Sequence, residues 1–347
     1  MTDTIRWGVV GSGGIARRRT IPEGIVPADN AQLAAVYDQN AAVNAEVADE
    51  FGAQPADSMA ALLASGIDAV YVATPVHVHY EQVVACAAAG KHVLCEKPLG
   101  MSVGEGREMI QACKAADVQL SPAFMMRFHA QHQAALALVQ EGKLGKPAYA
   151  RAQLSCWFPP MEGAWRQNPA LGGGGSLMDL GGHCVDLLEM FFGKVVRVSC
   201  FVNNTVHAYP SEDSAVAMLA FENGAFATVD AFFCIPDSAS KNALEIYGAQ
   251  GSILAKGTIG QGEAGDMTAF LEEEVGGYSA QQERDEGGGI TIAPAPVNMY
   301  RAEIEAFSQA LLEHTPAPIG PEVGLRSQQI LTACYKSAKT GKAVETG

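Results

Sequence analysis

The sequence predicts an α/β protein in which an N-terminal Rossmann domain, a doubly wound parallel sheet, precedes a C-terminal α/β domain with a large, mainly antiparallel open sheet. In the first third of the chain, short apolar segments alternate with helical ones, which is typical of parallel strands joined by right-handed crossovers. Further on, segments of alternating polarity follow one another with hairpin signals between them, as in an antiparallel sheet. We place the boundary near Phe124, which gives domains of residues 1–123 and 124–347.

The elements of the first domain follow from apolar pattern and spacing. Apolar runs predict buried strands at Ile5–Val10, Leu33–Asp38, Ile67–Ala73, His92–Cys95 and Val118–Ala123. Helical spacing predicts helices at Ala41–Phe51, Met59–Ala64, Tyr80–Ala89 and Val103–Ala116. The carboxyl ends of such strands share one edge of the sheet, and ligands bind at that edge.

The second domain opens with an amphipathic helix at Gln131–Gly142. Alternation then predicts strands at Ala148–Cys156, Val195–Val202, Ser214–Phe221, Ala225–Cys234, Ala243–Tyr247 and Ser252–Ala255. Asn223-Gly224 is a hairpin signal, and residues 248–251 separate a second pair. The Gly- and Glu-rich residues 260–289 predict an edge or mobile loop, and Val297–Leu312 and Val323–Ser337 predict closing helices.

Composition excludes several classes of partner. A net charge of −15 argues against nucleic acid and anionic membranes, because both require clustered Lys and Arg. No apolar run approaches the roughly 20 residues of a membrane span, and no secretory leader precedes the first strand. The eight cysteines lack metal-binding spacing, so we expect free buried thiols in a reducing compartment. These features predict a cytoplasmic protein.

A glycine-rich turn directly follows the first strand. Residues Gly11, Gly13, Gly14, Ile15 and Ala16 form the pattern G-x-G-x-x-A. The first glycine permits a tight turn, the second lets the backbone approach a pyrophosphate, and the alanine allows the helix to pack closely on the strand. Because a strand precedes the turn and another strand ends in an acid about 20 residues later, the motif predicts a dinucleotide site.

That acid, Asp38, selects the nucleotide. A carboxylate at this position binds the hydroxyl groups of the adenosine ribose and repels a 2′-phosphate, so NAD is favoured over NADP. Arg17, Arg18 and Arg19 lie near the turn and could offset this preference, but their position favours phosphate or solvent.

Two further strands end in polar groups on the same edge. Thr74 and Pro75 follow one strand, and we expect them, together with His79, to line the nicotinamide side. His77 has the alternative reading of a solvated first helical turn. The other strand ends in Glu96-Lys97-Pro98, where the proline restricts the backbone of the lysine. We assign Glu96 and Lys97 to the cofactor, and Lys97 also to proton chemistry or polarisation of an oxygen.

A second cluster follows a run of four glycines at residues 172–175, which we expect to crowd backbone N–H groups near a ligand. Asp179 and His183 are four residues apart, hence on one helix face. A carboxylate in that position orients an imidazole and favours its protonated form, which suits a general base acting on an alcohol. Asp186 could join the pair.

Metal binding is the rival use of such residues. Asp179, His183 and Asp186 could bind a cation, and His129 with His132 adds another pair, but no zinc-type spacing occurs. We therefore expect no metal.

In combination, these motifs resemble the Gfo/Idh/MocA family, named after glucose–fructose oxidoreductase and inositol dehydrogenase. The resemblance covers nearly the whole chain. It implies a Rossmann domain, an open antiparallel sheet used for oligomer contacts (a dimer or tetramer), and NAD(P)-dependent chemistry on a sugar, cyclitol or related polyol. It further implies that Lys97, Asp179 and His183 serve the reacting carbinol. Phe124-Met-Met-Arg127 departs from the more polar version of this segment.

The resulting hypothesis is a dehydrogenase that takes a small polyol or sugar. His183 accepts the hydroxyl proton, Asp179 holds the imidazole, and Lys97 stabilises the developing negative charge on the oxygen. Trp165 and Arg166 would stack on a sugar ring and bind its hydroxyls, with Arg127 a further candidate; a loop that is merely anchored by the tryptophan is the alternative for Trp165 and Arg166. Two alternatives remain, a glycosidase that uses bound NAD as a transient oxidant and a non-catalytic NAD- or sugar-binding protein.

Overall fold

Two sheets organise the protein, and both are present in the computed structural model, which describes residues 4–272, 276 and 288–347. The first sheet has six strands and the second has nine. The first sheet is parallel throughout, and the second is mostly antiparallel. The fold class predicted from the sequence is therefore confirmed.

The first sheet has the strand order β3-β2-β1-β4-β5-β6 of a doubly wound domain. Its strands are β1 (Ile5–Val10), β2 (Ala31–Tyr37), β3 (Gln54–Pro55), β4 (Ala69–Val72), β5 (His92–Glu96) and β6 (Leu120–Ala123). Its helices are the irregular segment Ser12–Ile25, then α1 (Ala41–Phe51), α2 (Met59–Leu63), α3 (His79–Ala88) and α4 (Val103–Ala115). Strands β1 and β4 are adjacent, but the chain continues from β1 to β2 on one side of the sheet and from β4 to β5 on the other. The crevice expected for a ligand therefore lies at the carboxyl ends of β1 and β4.

The second sheet has the order β14-β13-β12-β11-β7-β10-β9-β8-β15. Short helical turns at Met125–Phe128 and Trp165–Gln167 flank α5 (Ala130–Gln140) and β7 (Pro147–Ser155); α6 (Pro169–Gly172), a wide turn at Leu177–Gly181 and α7 (Gly182–Phe192) follow. The strands continue with β8 (Val195–Asn203), β9 (Ser214–Phe221), β10 (Phe226–Phe232), β11 (Ala243–Gly248), β12 (Gly251–Lys256), β13 (Asp266–Leu271) and β14 (Ile290–Thr291). The chain closes with α8 (Met299–Leu312), α9 (Pro321–Thr340) and β15 (Val344–Glu345).

Both predicted hairpins form, β9–β10 around Asn223-Gly224 and β11–β12 around residues 248–251. The segment at 260–289 that was predicted as an edge or loop contains β13, which pairs with β12. The part of that prediction that falls on residues 273–275 and 277–287 lies outside the described residues. One pairing in the second sheet, β7 with β10, is parallel.

Helix α8 belongs structurally to the first half of the protein, although a boundary near Phe124 assigns it to the second. Ile304, Phe307 and Leu311 pack into the apolar core of the first sheet. The rings of Phe307 and Trp7 have centroids 5.7 Å apart, and the Trp7 indole donates to Ser308 Oγ over 3.1 Å. The predicted closing helix is present, and these residues place it against the core of the first sheet. The boundary itself stays a prediction.

All eight cysteines are free thiols. In the part of the chain that the structure describes, no helix combines the length and apolarity needed to cross a bilayer.

Candidate active site

A cleft of about 580 Å³ lies between the carboxyl edge of the first sheet and the second domain. Gly14, Thr74 and Lys97 line it from the first domain. The second domain contributes Trp165, Arg166, Asp179, His183, Phe158, Phe233 and Asn242, among others. The chemical groups that the sequence places in two distant segments therefore meet in one cavity.

Asp179 is the centre of an ion-pair cluster. The Lys97 ammonium donates to Asp179 Oδ1 and to the Asp179 carbonyl oxygen, each over 2.7 Å. Arg166 Nε lies 3.1 Å from Asp179 Oδ2, and the guanidinium carbon of Arg166 is 4.1 Å from the centroid of the Trp165 ring. Burial alone would raise the pKa of Asp179, but the charges of Arg166 and Lys97 bring it well below its ordinary value. Asp179 is therefore a permanent carboxylate and cannot itself serve as the base.

His183 has the opposite electrostatic situation. Burial lowers the pKa of His183 well below its ordinary value, and the charge of Lys97 lowers it further, against a smaller opposing effect of Asp179. Its Nδ1 is buried and has no hydrogen-bond partner among the described residues. The imidazole is therefore neutral at pH 7, a form in which one ring nitrogen can accept a proton.

The expected Asp179–His183 pair is not formed. The carboxylate is engaged by Lys97 and Arg166 instead, and the segment carrying Asp179 is a wide turn that ends where α7 begins at Gly182. The prediction that Asp179 holds the imidazole is therefore wrong. The charge of Asp179 does favour the protonated form of His183, as expected, but burial and the charge of Lys97 outweigh it. Two cations compete for the carboxylate more strongly than one neutral imidazole does.

The glycine run also has a different use from the one expected. Gly175 N–H and Leu177 N–H donate to the carboxylate of Glu212, at distances of 2.9–3.0 Å. These backbone groups therefore bind one of the protein's own carboxylates and are not free for a ligand.

Arg127 does not reach the cleft. Its Nε donates to both carboxylate oxygens of Asp186 over 2.9 Å. Burial raises the pKa of Asp186 to about 6, against the opposing effect of the Arg127 guanidinium. The prediction of Arg127 as a substrate residue is wrong, as is the suggestion that Asp186 joins Asp179, because each residue satisfies the other.

Glu96 lines the cleft at the end of β5 and is held from behind. Tyr71 donates its hydroxyl to Glu96 Oε1 over 2.5 Å and accepts from Thr20 Oγ1 over 2.9 Å. Burial raises the pKa of Glu96, although the Lys97 charge opposes this. This arrangement fixes the carboxylate beside Lys97.

His79 is buried and structural. Its Nε2 lies 2.8 Å from the Thr74 carbonyl oxygen, and its Nδ1 lies 3.1 Å from the Pro98 carbonyl oxygen. The prediction that it contacts the cofactor is wrong, because its ring lies between the two loops that carry Thr74 and Lys97 and is not among the residues that line the cleft. Thr74 lines the cleft, whereas Pro75 precedes a short helical turn outside the lining and His77 is exposed.

The glycine-rich turn fits a dinucleotide. Gly11 has φ of 77°, and a Cβ there would lie 2.7 Å from Thr74 Cγ2, so only glycine closes the turn. A Cβ at Gly14 would meet nothing within 4 Å, which leaves open space directly above the backbone. Ile15 lines the cleft beside it, and Ala16 is buried where the helix meets the sheet. These residues would hold the pyrophosphate at the start of the helix.

Asp38 lies at the same turn. Its Oδ2 accepts from Gly13 N–H over 3.1 Å and its Oδ1 accepts from Asn40 N–H over 2.9 Å. This places the carboxylate where a ribose would follow the pyrophosphate.

The neighbouring arginines are mostly committed elsewhere. Arg17 binds Glu46 and Glu50 of α1 over 2.9 and 2.8 Å, and Arg19 binds Glu23 over 2.6 Å. Arg18 is exposed and lines the cleft.

Several lining residues carry no sequence signal. Tyr300 reaches the cleft from α8, and Phe158 and Phe233, whose ring centroids are 4.9 Å apart, reach it from the second sheet. These three residues are far in the sequence from the glycine turn and from Lys97, so no local sequence pattern identifies them as part of the site. In residues 4–272, 276 and 288–347, no three His, Cys, Asp or Glu side chains are arranged to hold a metal ion.

Comparison with known proteins gives the class of this fold and site. A model described as an oxidoreductase family with an NAD-binding Rossmann fold matches residues 5–124. A model of the GFO/IDH/MocA C-terminal domain matches residues 132–254. The chain is thus an NAD-binding oxidoreductase. It belongs to the Gfo/Idh/MocA family, and the resemblance noted in the sequence is confirmed.

Relatives align over nearly the full length. The chain is 30% identical to a 1,5-anhydro-D-fructose reductase of Ensifer adhaerens, over 99% of each chain. It is 32% identical to a D-xylose 1-dehydrogenase (NADP(+)) of Haloferax volcanii, over 98% of this chain and 99% of that one. The crystal structure of an aldose-aldose oxidoreductase from Caulobacter crescentus in complex with glycerol superposes with a TM-score of 0.87, at 25% identity and over 99% of each chain.

Proposed function

We propose that this chain oxidises a secondary hydroxyl group of a sugar, an anhydrosugar or a cyclitol, with NAD as the hydride acceptor. The observation that carries the proposal is that a neutral buried imidazole, His183, and an ammonium group held by Asp179, that of Lys97, line the same cleft. Oxidation of an alcohol requires a group that accepts the hydroxyl proton and a group that stabilises negative charge on the oxygen. The relatives named for reactions on anhydrofructose and xylose support this substrate class.

In the proposed reaction, His183 Nε2 accepts the hydroxyl proton. Lys97 donates a hydrogen bond to the same oxygen, and this bond strengthens as negative charge develops there. Asp179 orients the ammonium and restrains Arg166. Trp165 and Arg166 bind the substrate from the second domain, where both line the cleft.

NAD would be held by Gly11, Gly13, Gly14 and Ala16 at the pyrophosphate and by Asp38 at the adenosine ribose. Glu96, Thr74 and Ile15 would flank the nicotinamide end, because they line the same cleft as Lys97.

The test is NADH absorbance with the purified protein, NAD and a panel of sugars, anhydrosugars and inositols, with NADP in parallel. We expect a rise with at least one substrate class, larger with NAD than with NADP. Silence across the panel together with aglycone release from a glycoside would replace the proposal with oxidation-assisted cleavage. NAD binding with neither reaction would replace it with a sensor.

A further inference from the structure

Glu212 is a buried carboxylate in the loop before β9 that no step of the proposed reaction uses. Every hydrogen bond that its side chain makes in the described chain ends on two elements. Gly175 N–H and Leu177 N–H donate to it from the start of the turn that carries Asp179. Tyr335 of α9 donates its hydroxyl to Glu212 Oε1 over 2.7 Å.

Backbone contacts reinforce this attachment. Ser176 N–H donates to the Glu212 carbonyl oxygen over 3.0 Å, and Ser211 Oγ donates to the Gly174 carbonyl oxygen over 3.3 Å. A Cβ at Gly175 would overlap the Glu212 carbonyl oxygen, and a Cβ at Gly174 would overlap the Tyr335 hydroxyl. The glycines are therefore required by the approach of these two residues.

The charge of Glu212 suits its place. It lies at the N-terminus of a helical segment, where N–H groups lack partners and the dipole favours an anion. All the groups that point at its carboxylate are donors, so the ionised form satisfies them and an amide in its place would turn an NH₂ group toward an N–H group.

Only a few residues and hydrogen bonds separate the turn held by Glu212 from the proposed reacting groups. Asp179 lies four residues after Gly175 and its N–H donates to the Gly175 carbonyl oxygen over 3.0 Å. Both contacts of Lys97 in the cluster end on Asp179, one on its carboxylate and one on its carbonyl oxygen. A shift at residue 175 is therefore transmitted to the ammonium of Lys97.

We propose that Glu212 and Tyr335 are positioning residues of this active site, which hold the turn at residues 175–179 so that Asp179 aligns Lys97 with the substrate oxygen. This inference rests on the proposed function, because it concerns the same reacting groups. It adds two residues that lie outside the cleft lining and act only through the turn.

The test compares Glu212→Gln and Tyr335→Phe with the unaltered protein, using whichever polyol proves active. Since a displacement of about 1 Å can reduce turnover about 100-fold, we expect kcat to fall by about that factor in Glu212→Gln and by about 10-fold in Tyr335→Phe. The dissociation constant of NAD should stay within about twofold. The acid limb of the kcat/KM profile should also shift, because the pKa of His183 depends on where Asp179 and Lys97 sit.

Asp213→Asn is the matched control. Asp213 is the next residue and is also buried, but it binds the N–H groups of Thr205, Val206 and His207 and not the turn. We expect it to lower thermal stability without moving the pH profile.

The inference is overturned if Glu212→Gln or Tyr335→Phe lowers only the melting temperature, with kcat and pH profile unchanged, or if Asp213→Asn moves the profile equally. Should Glu212→Gln fail to fold, Tyr335→Phe decides alone. Absence of turnover in the unaltered protein would instead count against the proposed function.

Discussion

The ammonium of Lys97 lies 2.7 Å from Oδ1 and 2.7 Å from the backbone carbonyl oxygen of a single residue, Asp179. An ammonium has three N–H donors, so this arrangement directs two of them and leaves one for the cleft. The carboxylate also neutralises part of the charge that two cations bring to the cavity. In the proposed reaction, Asp179 would therefore act on the reacting oxygen through Lys97 and not through the imidazole.

Replacing Asp179 by Asn should abolish most activity while the fold persists. Without the carboxylate, Lys97 and Arg166 repel each other and the remaining N–H is no longer aimed, so we expect kcat to fall about 100-fold or more. Steady-state kinetics, with NAD affinity measured by fluorescence, checks this. Asp230→Asn is the control, since Asp230 forms an equally short ion pair with Arg151 away from the cleft. Equal losses in both variants would contradict the assignment.

The pH dependence of oxidation should reflect His183. Because its pKa lies below the ordinary value of 6.5, the neutral, proton-accepting form persists to lower pH than for a free histidine. We expect kcat/KM to be level just above and below pH 6.5 and to fall only in more acidic solution. His183→Ala should remove this limb and lower kcat by about 100- to 10,000-fold. A limb centred above pH 6.5, or one that survives the substitution, would exclude His183 as the base.

Asp38→Asn should weaken discrimination between NAD and NADP. The amide oxygen can keep one of the two hydrogen bonds that the carboxylate accepts from the N–H groups of Gly13 and Asn40, and the loss of charge removes the repulsion of a 2′-phosphate. We expect the ratio of kcat/KM for NAD over NADP to fall at least about tenfold, equivalent to about 1.4 kcal/mol. Asp49→Asn, an exposed change on α1, should leave the ratio unaltered. An unchanged ratio in Asp38→Asn would place selectivity elsewhere.

Much of this protein was predictable from local sequence, and the first domain most of all. The glycine turn, Asp38 and Lys97 each follow a buried strand, so strand order alone brings them to one edge. Thr74 closes against Gly11 for the same reason. Parallel strands make such predictions dependable because every strand ends at the ligand edge.

The predictions for the site were wrong where a side chain binds a group that is distant in the sequence instead of the partner expected from spacing. Asp179 and His183 have the right spacing to pair, but Lys97 and Arg166 bind the carboxylate instead. Arg127 was expected in the cleft for its charge, yet the buried carboxylate of Asp186 takes it. His79 was expected near the cofactor, yet its ring is buried between the Thr74 and Pro98 carbonyl groups. Each outcome depends on tertiary contacts that spacing does not encode.

The outer face of the second sheet should form contacts between copies of this chain. Phe201, Val216, Met218 and Phe226 project from adjacent strands on this face, and Phe201 is 78% exposed. An exposed apolar patch of this kind is typical of an interaction surface. We expect a homo-oligomer by light scattering, and a smaller species for the double change Phe201→Glu with Met218→Glu.

Val26→Glu is the control for that experiment, because Val26 is also an exposed apolar residue but lies in the first domain. A monomer before any substitution would refute the prediction.

Acid should destabilise the protein through His132. Burial, with the neighbouring His129, lowers the pKa of His132 to about 3. The unfolded chain binds a proton below pH 6.5 and the folded chain does not, so this residue reduces stability as pH falls from 6.5 toward 3, by about 1.4 kcal/mol per pH unit. In His132→Asn, which retains a donor for the Met126 carbonyl group, the free energy of unfolding should fall less steeply. Urea titrations at several pH values give the free energy of unfolding, with His77→Asn as an exposed control. The prediction is contradicted if this free energy has the same pH dependence in His132→Asn as in the unaltered protein.

Helix α8 has a mechanical consequence. The chain leaves the first half after β6, returns to it with α8 and crosses again with α9, which packs on α4 and β6 as well as on β8. The two halves are therefore joined by three separate connections of the polypeptide chain and not by a single linker. Because these connections lie at separate places, we expect opening of the cleft to be restricted to rotation about a single hinge axis. Tyr300 lies on α8, so we expect this wall of the cleft to stay with the nucleotide-binding half. The opposite wall, which carries Trp165 and His183, would move relative to it.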